Sequence, residues 1–402
     1  MAVAATLLAG LVGGAATAHG VEVERGVEWT TIVRHRPAER INVLTVEPGR
    51  VRAVLSNNRV ARRERVSSMG ERVEAVAGVN GGFFAPSGDP VGVLAIDGEL
   101  VSEPVDGRSA LIIPPAAPTP AAPRIAPVRY RGRITVNGRS REIDGINRTR
   151  GLIPACGGRG GDLPTIRPNS VLTCTDSSEL VLLSPRYGAR PPAEGGVEAI
   201  VRDGVVTRVR PPGVGGVPRR GVLLTGTGDA ARFLRNVALP RSRAEVVLRV
   251  TADGERLDLR PGEGGERLDL RPGDGEPAGE TIVGGGPRIL RAGRVVVAAK
   301  AEGFAPLRAF FQSFVAGRQP RTLAGVRADG ALLLVTVDGR APGWSAGMTL
   351  PEAARLMRSL GARDAVNLDG GGSSTMTVRG EVVNRPSDRV ERAVSDGLFV
   401  MP

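Results

Sequence analysis

"TLAGVRADGALLLVTVDG", residues 322–339, places two apolar runs on either side of an Asp-Gly pair. Each run is short and rich in Val, Leu and Thr, which reads as a strand. Asp329-Gly330 reads as the turn of a hairpin, because a type I′ loop needs positive φ and Asp-Gly tolerates it. The pattern recurs at Asp97-Gly98, Asn137-Gly138 and Asp203-Gly204, and "INVLTVEPGRVRAVLS" reads as two strands about Pro48-Gly49. Helical periodicity is scarce. Residues 350–360 form one helix, with Thr349 and Glu352 as a capping box and Gly361 as its stop; its apolar face is Ala353, Leu356, Met357 and Leu360. "SSMGERVEAV", capped by Ser67 or Ser68, and "DAARFLRN" are two more. The fold class is a strand-rich α+β.

The chain has 402 residues, 41% hydrophobic and 24% charged, enough for one large domain or two ordinary ones. Its net charge of +12 rests almost wholly on Arg, with Lys300 the sole lysine. A nucleic-acid surface interleaves bases with aromatics. Here Arg is scattered and the aromatics gather in "GGFF" and "RAFFQSF", so nucleic acid ranks well below an anionic ligand. His19 and His35 are the only histidines, which leaves Ser-His-Asp and Cys-His catalysis and histidine-rich metal sites without material. Chemistry must rest on carboxylates, Arg, Asn, Ser and backbone amides, with no cofactor and no metal expected.

Residues 1–18, "MAVAATLLAGLVGGAATA", end in the small-x-small pattern of a secretory cleavage site. A secreted or cell-envelope protein is expected, with no stable membrane span after cleavage. In that setting Cys156 and Cys174, the only cysteines, read as one disulfide. Residues 19–113 form the first part of a catalytic unit and 114–128 a Pro/Ala linker. An inserted middle block at 129–250 follows, then a flexible loop at 251–280 with "GERLDLRPG" twice, then the second part at 281–402.

Three stretches carry chemistry. In "VNGGFF", Asn80 is placed to orient a sugar hydroxyl and Phe83 to wall a pocket, with Gly81 and Gly82 allowing positive φ and close backbone approach. The bland reading is a turn with core phenylalanines. In the opening stretch, a hairpin sets Arg321 beside Asp338 as either a surface ion pair or an anion-binding fork next to a reactive carboxylate, with Arg340 just beyond. In "AVNLDGGGSSTMTVRGEVVNRP", residues 365–386, a strand delivers Asp369 to a rim. There Gly370, Gly371 and Gly372 expose amides as an anion nest, flanked by Ser373 and Ser374. The Lys and following helix of a nucleotide P-loop are missing.

Together "VNGGFF…PVGVLAIDGE", "PRTLAGVRADGALLLVTVDGR" and "AVNLDGGGSSTMTVRGEVVNRPSD" resemble the phosphodiester glycosidase family over 73–112 and 281–400. "INRTRG" and "ELVLLSPRYG" in the middle block resemble its bacterial members more weakly. The resemblance implies a mixed α/β catalytic domain whose loops meet at one cleft. By motif match it carries over Asn80, Gly81, Arg321, Asp338, Asp369, Gly370, Gly371, Ser373 and Asn384. It also implies hydrolysis of the glycosidic bond of a GlcNAc-1-phosphodiester-like substrate, releasing free sugar and a phosphomonoester. Asp369 and Asp338 are then the expected carboxylate pair, with Glu302 in reserve. The rival is a non-catalytic envelope module that binds phosphosugar polymers. The partner in either case is a phosphosugar or glycopolymer.

Overall fold

The computed structural model describes residues 16–115, 121–151, 153–154, 163–164, 173–188, 190–191, 193–257, 259–261, 279–304 and 308–402. The strand Leu332–Val337 lies near the centre of an eight-stranded antiparallel sheet, between Arg321–Arg327 and Ala38–Val46. Its side chains alternate between two cores. Leu332 and Leu334 pack toward a second sheet, while Leu333, Val335 and Val337 pack toward the helix Leu350–Ser359. Burial on both faces explains a continuous apolar run where a one-sided strand would alternate with polar residues.

The second sheet is five-stranded, in the order Glu381–Val382, Met376–Val378, Ala77–Asn80, Asp396–Val400, Val51–Leu55. Val79, Met376 and Leu398 from it share one core with Leu334 and Leu368 of the first. The two sheets thus face each other, and their loops meet at one end.

Three expected turns form as read: φ is positive at both residues of Asp97-Gly98, Asn137-Gly138 and Asp203-Gly204. At Asp329-Gly330 the strands do pair, but only Gly330 has positive φ and its amide donates to Arg327 O. That is the longer hairpin loop with glycine in the left-handed position. Pro48-Gly49 is not a hairpin. Ala38–Val46 pairs within the first sheet and Val51–Leu55 pairs with Asp396–Val400 in the second, so this turn passes the chain between sheets.

Helix Leu350–Ser359 carries its reciprocal Thr349–Glu352 capping box. Gly228–Asn236 is helical as expected. The first helix, Val66–Arg72, starts one residue before the predicted caps and has no side-chain cap at its N-cap residue, Arg65. Ser67 instead donates its amide and hydroxyl to Glu391, which fixes the helix start to a distant loop.

The seams drawn from proline content move. Residues 124–128 belong to the long strand Arg124–Val136, which pairs with Ser109–Ile113 on one side and Ala244–Ala252 on the other. One sheet and one core therefore run from Val93 through the middle block to Ile282. In the first copy of the duplicated segment, Glu255–Leu257 pairs with Ala244–Ala252. The second copy lies outside the described residues, as do Cys156 and residues 1–15. Cys174 is buried on the central strand of a three-stranded sheet, and among the described residues no cysteine is free. Among the described residues no helix is long and apolar enough to cross a membrane.

Candidate active site

Asn80 ends its strand fully buried, and its carboxamide joins three loops. Its Oδ1 accepts from Thr322 Oγ1 at 2.7 Å and from the Thr375 amide at 3.1 Å, and its Nδ2 donates to Asp369 O at 2.7 Å. With both oxygen lone pairs taken, it serves to position the Asp369 loop, and the expected contact to a sugar hydroxyl has no acceptor to use.

The next two residues do not adopt positive φ. Gly81 is glycine because a Cβ there would run into the Asp396 carboxylate, and at Gly82 it would lie 2.8 Å from Gly284 O. Gly81 donates its amide to Asp396 O and accepts from the Asp369 amide. It is therefore the spacer between two aspartates. The Gly82 amide donates to Asp396 Oδ1 at 2.9 Å. Phe83 packs against Phe304 with the rings tilted and their centroids 5.7 Å apart, and with Asp396 it lines a recess bounded by Val91, Gly92 and Gly284.

Asp369 is half-buried, and its carboxylate is held by the Ser373 hydroxyl and the Gly370 amide. Burial pushes its pKa up to about 6 and the nearby Asp396 adds to the rise, against the Ser373 hydroxyl, the Arg392 charge and the Gly370 amide. Asp396 is itself buried and raised by burial, against the Gly82 amide. Gly81 thus separates two carboxylates whose pKa values burial raises alike.

Asp338 is different. Its oxygens accept from Trp344 Nε1 at 2.8 Å, Asn384 Nδ2 at 3.2 Å and the Arg385 amide at 3.1 and 3.2 Å. Burial still raises its pKa despite these donors. Asn384 also donates to Ser374 O and accepts from the Met376 amide, so Asp338 and Asn384 together brace the glycine loop.

The expected Arg321–Asp338 ion pair does not form. Arg321 lies opposite Val337, and its buried guanidinium donates to three backbone carbonyls: Met348 at 2.9 Å, Phe314 at 2.7 Å and Gly317 at 3.0 Å. Burial, then the charge of Arg340, lowers its pKa to about 9. Glu302 is likewise committed. It accepts from the Ser109 amide and hydroxyl and from the Arg288 amide at 2.8–3.0 Å, tying two sheets together.

The glycine loop is more closed than a nest. Gly371, at φ 62, donates to Pro320 O, while Ser373 and Ser374 donate to the carbonyls of Gly370 and Gly371. The cations at this loop are side chains instead. Arg340 is exposed, and its guanidinium lies 3.3 Å from where a Gly371 Cβ would sit. Arg392 covers Gly372 and reaches Ser373 Oγ at 3.4 Å. Asp396, Arg392 and Trp344 were not picked out from the sequence. The only signals were an Asp-Gly opening the strand "DGLFV" and one of two tryptophans placed in a Gly-rich turn.

Two opposed sheets bring glycine-bearing loops together around a half-buried carboxylate at the end of a β-rich core. The phosphodiester glycosidase family model matches residues 195–401, and the chain belongs to that family. It is 45% identical over 83 residues to the SPbeta prophage-derived protein YomE of Bacillus subtilis, covering 21% of this chain and 13% of that protein. It is 36% identical over 81 residues to mouse N-acetylglucosamine-1-phosphodiester alpha-N-acetylglucosaminidase, covering 20% of this chain and 15% of the enzyme. The matches thus span about a seventh of those relatives' own lengths. Among solved structures, a candidate exported protein of Burkholderia pseudomallei K96243 superposes with a TM-score of 0.82 at 26% identity, covering 100% of this chain and 99% of that one.

Proposed function

We propose that the protein is an exported glycosidase that hydrolyses sugar-1-phosphodiesters, GlcNAc-1-phosphodiesters among them, to free sugar and a phosphomonoester. The observation that carries this reading is the contrast between its two rim aspartates. Asp338 accepts from Trp344, Asn384 and the Arg385 amide, whereas Asp369, held by the Ser373 hydroxyl and Gly370 amide, has a pKa of about 6 and opens a loop flanked by Arg340 and Arg392.

In this reading Asp369 acts at C1 as a carboxylate. Water's oxygen ends on C1 as the hydroxyl, its released proton passes to solvent, and the phosphate leaves with the electron pair of the broken C1–O bond. A phosphomonoester is a weakly basic leaving group, so the proton donor that an ordinary glycoside needs is less important. Arg340 and Arg392 stabilise the departing charge, and Asn80 and Gly81 hold Asp369 in place. A pure binding module would use the same arginines, but a carboxylate beside an anion weakens binding and helps only if it reacts.

The test is incubation with UDP-GlcNAc and with a GlcNAc-1-phosphomannoside, reading free GlcNAc for the wild type and for Asp369→Asn. Release by the wild type and none by the variant is expected. Absence of release from either substrate by the folded wild type overturns the reading in favour of the binding module.

A further inference from the structure

The loop from Arg340 to Ser345 is built to present one side chain. Ala341 pairs with Ser345 and Gly343 has φ 75, which closes a tight turn and leaves Trp344 37% exposed. The indole is held in place, because its Nε1 donates to Asp338 Oδ2 at 2.8 Å. Arg40 Cζ stands 4.7 Å and Arg385 Cζ 5.8 Å from its ring centroid. Arg340, at the start of the loop, has φ 56, a left-handed conformation that costs a side-chain-bearing residue and tends to persist at functional sites.

The side-chain hydrogen bonds these arginines make go to neutral groups: Arg340 Nε donates to Gln319 Oε1 at 2.8 Å and Arg40 Nη1 to Glu39 O at 3.5 Å. Among the described residues neither Arg40, Arg340 nor Arg385 makes an ion pair, whereas their neighbours Arg34, Arg318 and Arg392 all do. The acid beside them, Asp338, already accepts from Trp344, Asn384 and the Arg385 amide. The patch is continuous with the Asp369 site, since Asn384 links Asp338 to Ser374 O and Arg340 lies against Gly371. The indole orients the Arg40 and Arg385 guanidinium groups that lie over it and leaves its exposed part to a sugar ring, while guanidinium groups outside any ion pair select anionic groups.

We infer that Trp344, Arg40, Arg340 and Arg385 form a second subsite, which holds the next sugar-phosphate unit of a polymeric substrate. The inference rests on the glycosidase reading of the Asp369 site and names its substrate class: a chain of sugars joined by phosphodiesters, in preference to an isolated diester.

The experiment measures affinity of the Asp369→Asn protein, which retains its binding surface, for GlcNAc-1-phosphate oligomers with one phosphodiester and with several. A neutral chito-oligosaccharide of the same length serves as control. The longer anionic oligomer should bind about tenfold or more tightly than the shorter, with the advantage shrinking as salt is raised. Arg40→Gln/Arg385→Gln in the same background should lose that advantage while keeping its melting temperature. Equal affinity for both lengths, or an unchanged length preference in the double variant, overturns the subsite. Free-sugar release from UDP-GlcNAc by the wild type is read separately. Release without length dependence sinks the subsite alone, whereas length-dependent binding without release sinks the glycosidase reading alone.

Discussion

The side-chain amide of Asn80 donates to the backbone carbonyl of Asp369 at 2.7 Å, across 289 residues of sequence. A buried hydrogen bond of this kind fixes where Asp369 stands without using its carboxylate. The same separation of support from chemistry runs through the site and generates the predictions below.

Asp369→Asn should abolish release of free sugar without unfolding the protein. Burial raises the Asp369 pKa to about 6, above the ordinary aspartate value of 3.8. Its contribution to stability is therefore full below about pH 4 and lost as pH rises through about 6. The variant should melt as high as the wild type or higher at pH 8, with the gap closing below pH 4. Thermal melts across that range check this; a variant markedly less stable at pH 8 would falsify the assignment of a strained, working carboxylate.

The acidic limb of kcat/KM should lie near pH 6, with activity falling as Asp369 is protonated. Arg392→Gln removes a charge that lowers this pKa, so the limb should move to higher pH. Arg392 is half-exposed and paired with Asp388, an ion pair worth at most about 1 kcal/mol, so the melting temperature should barely change. An unmoved limb would show that Arg392 does not act on the titrating group.

Asp338→Asn should behave in the opposite way to the Asp369 change. Its carboxylate accepts from Trp344, Asn384 and the Arg385 amide, and an amide in its place turns one acceptor into a donor facing donors. A loss of roughly 1–3 kcal/mol is expected, read by urea unfolding, with residual turnover in the fraction that folds.

Arg321→Lys should damage a phosphodiester and a neutral aryl glycoside equally. A point donor cannot satisfy three carbonyls that a planar fork reaches together, and each charge-assisted bond lost costs about 1.5–3 kcal/mol. Lower stability with parallel losses on both substrates is the expected outcome. A loss confined to the phosphodiester would restore direct phosphate recognition.

Local chemistry was legible and long-range pairing was not. Asp-Gly and Asn-Gly turns and the Thr349–Glu352 cap act within a few residues, so the sequence declares them. Pro48-Gly49 is just as good a turn, yet nothing in it says that the next strand leaves for the other sheet. Asp369 stood out because three glycines follow it. Asp396 did not, because its importance comes from Gly81, which lies against it only once two strands pair, with Gly397 opposite Asn80. Arg321 and Asp338 were correctly placed on neighbouring strands, but strand adjacency does not reveal that Arg321 is taken up by backbone carbonyls and Asp338 by Trp344, Asn384 and the Arg385 amide.

The pairing of Asp396–Val400 with both Ala77–Asn80 and Val51–Leu55 has a consequence for biogenesis. Until residue 396 leaves the ribosome, Ala77–Asn80 and Val51–Leu55 each present a bare strand edge, and bare edges invite pairing with other chains. Contacts this distant in sequence also form slowly. The interval between emergence of the first strands and closure by the last is thus when the chain is most exposed to aggregation, and a factor that shields strand edges would act on it then.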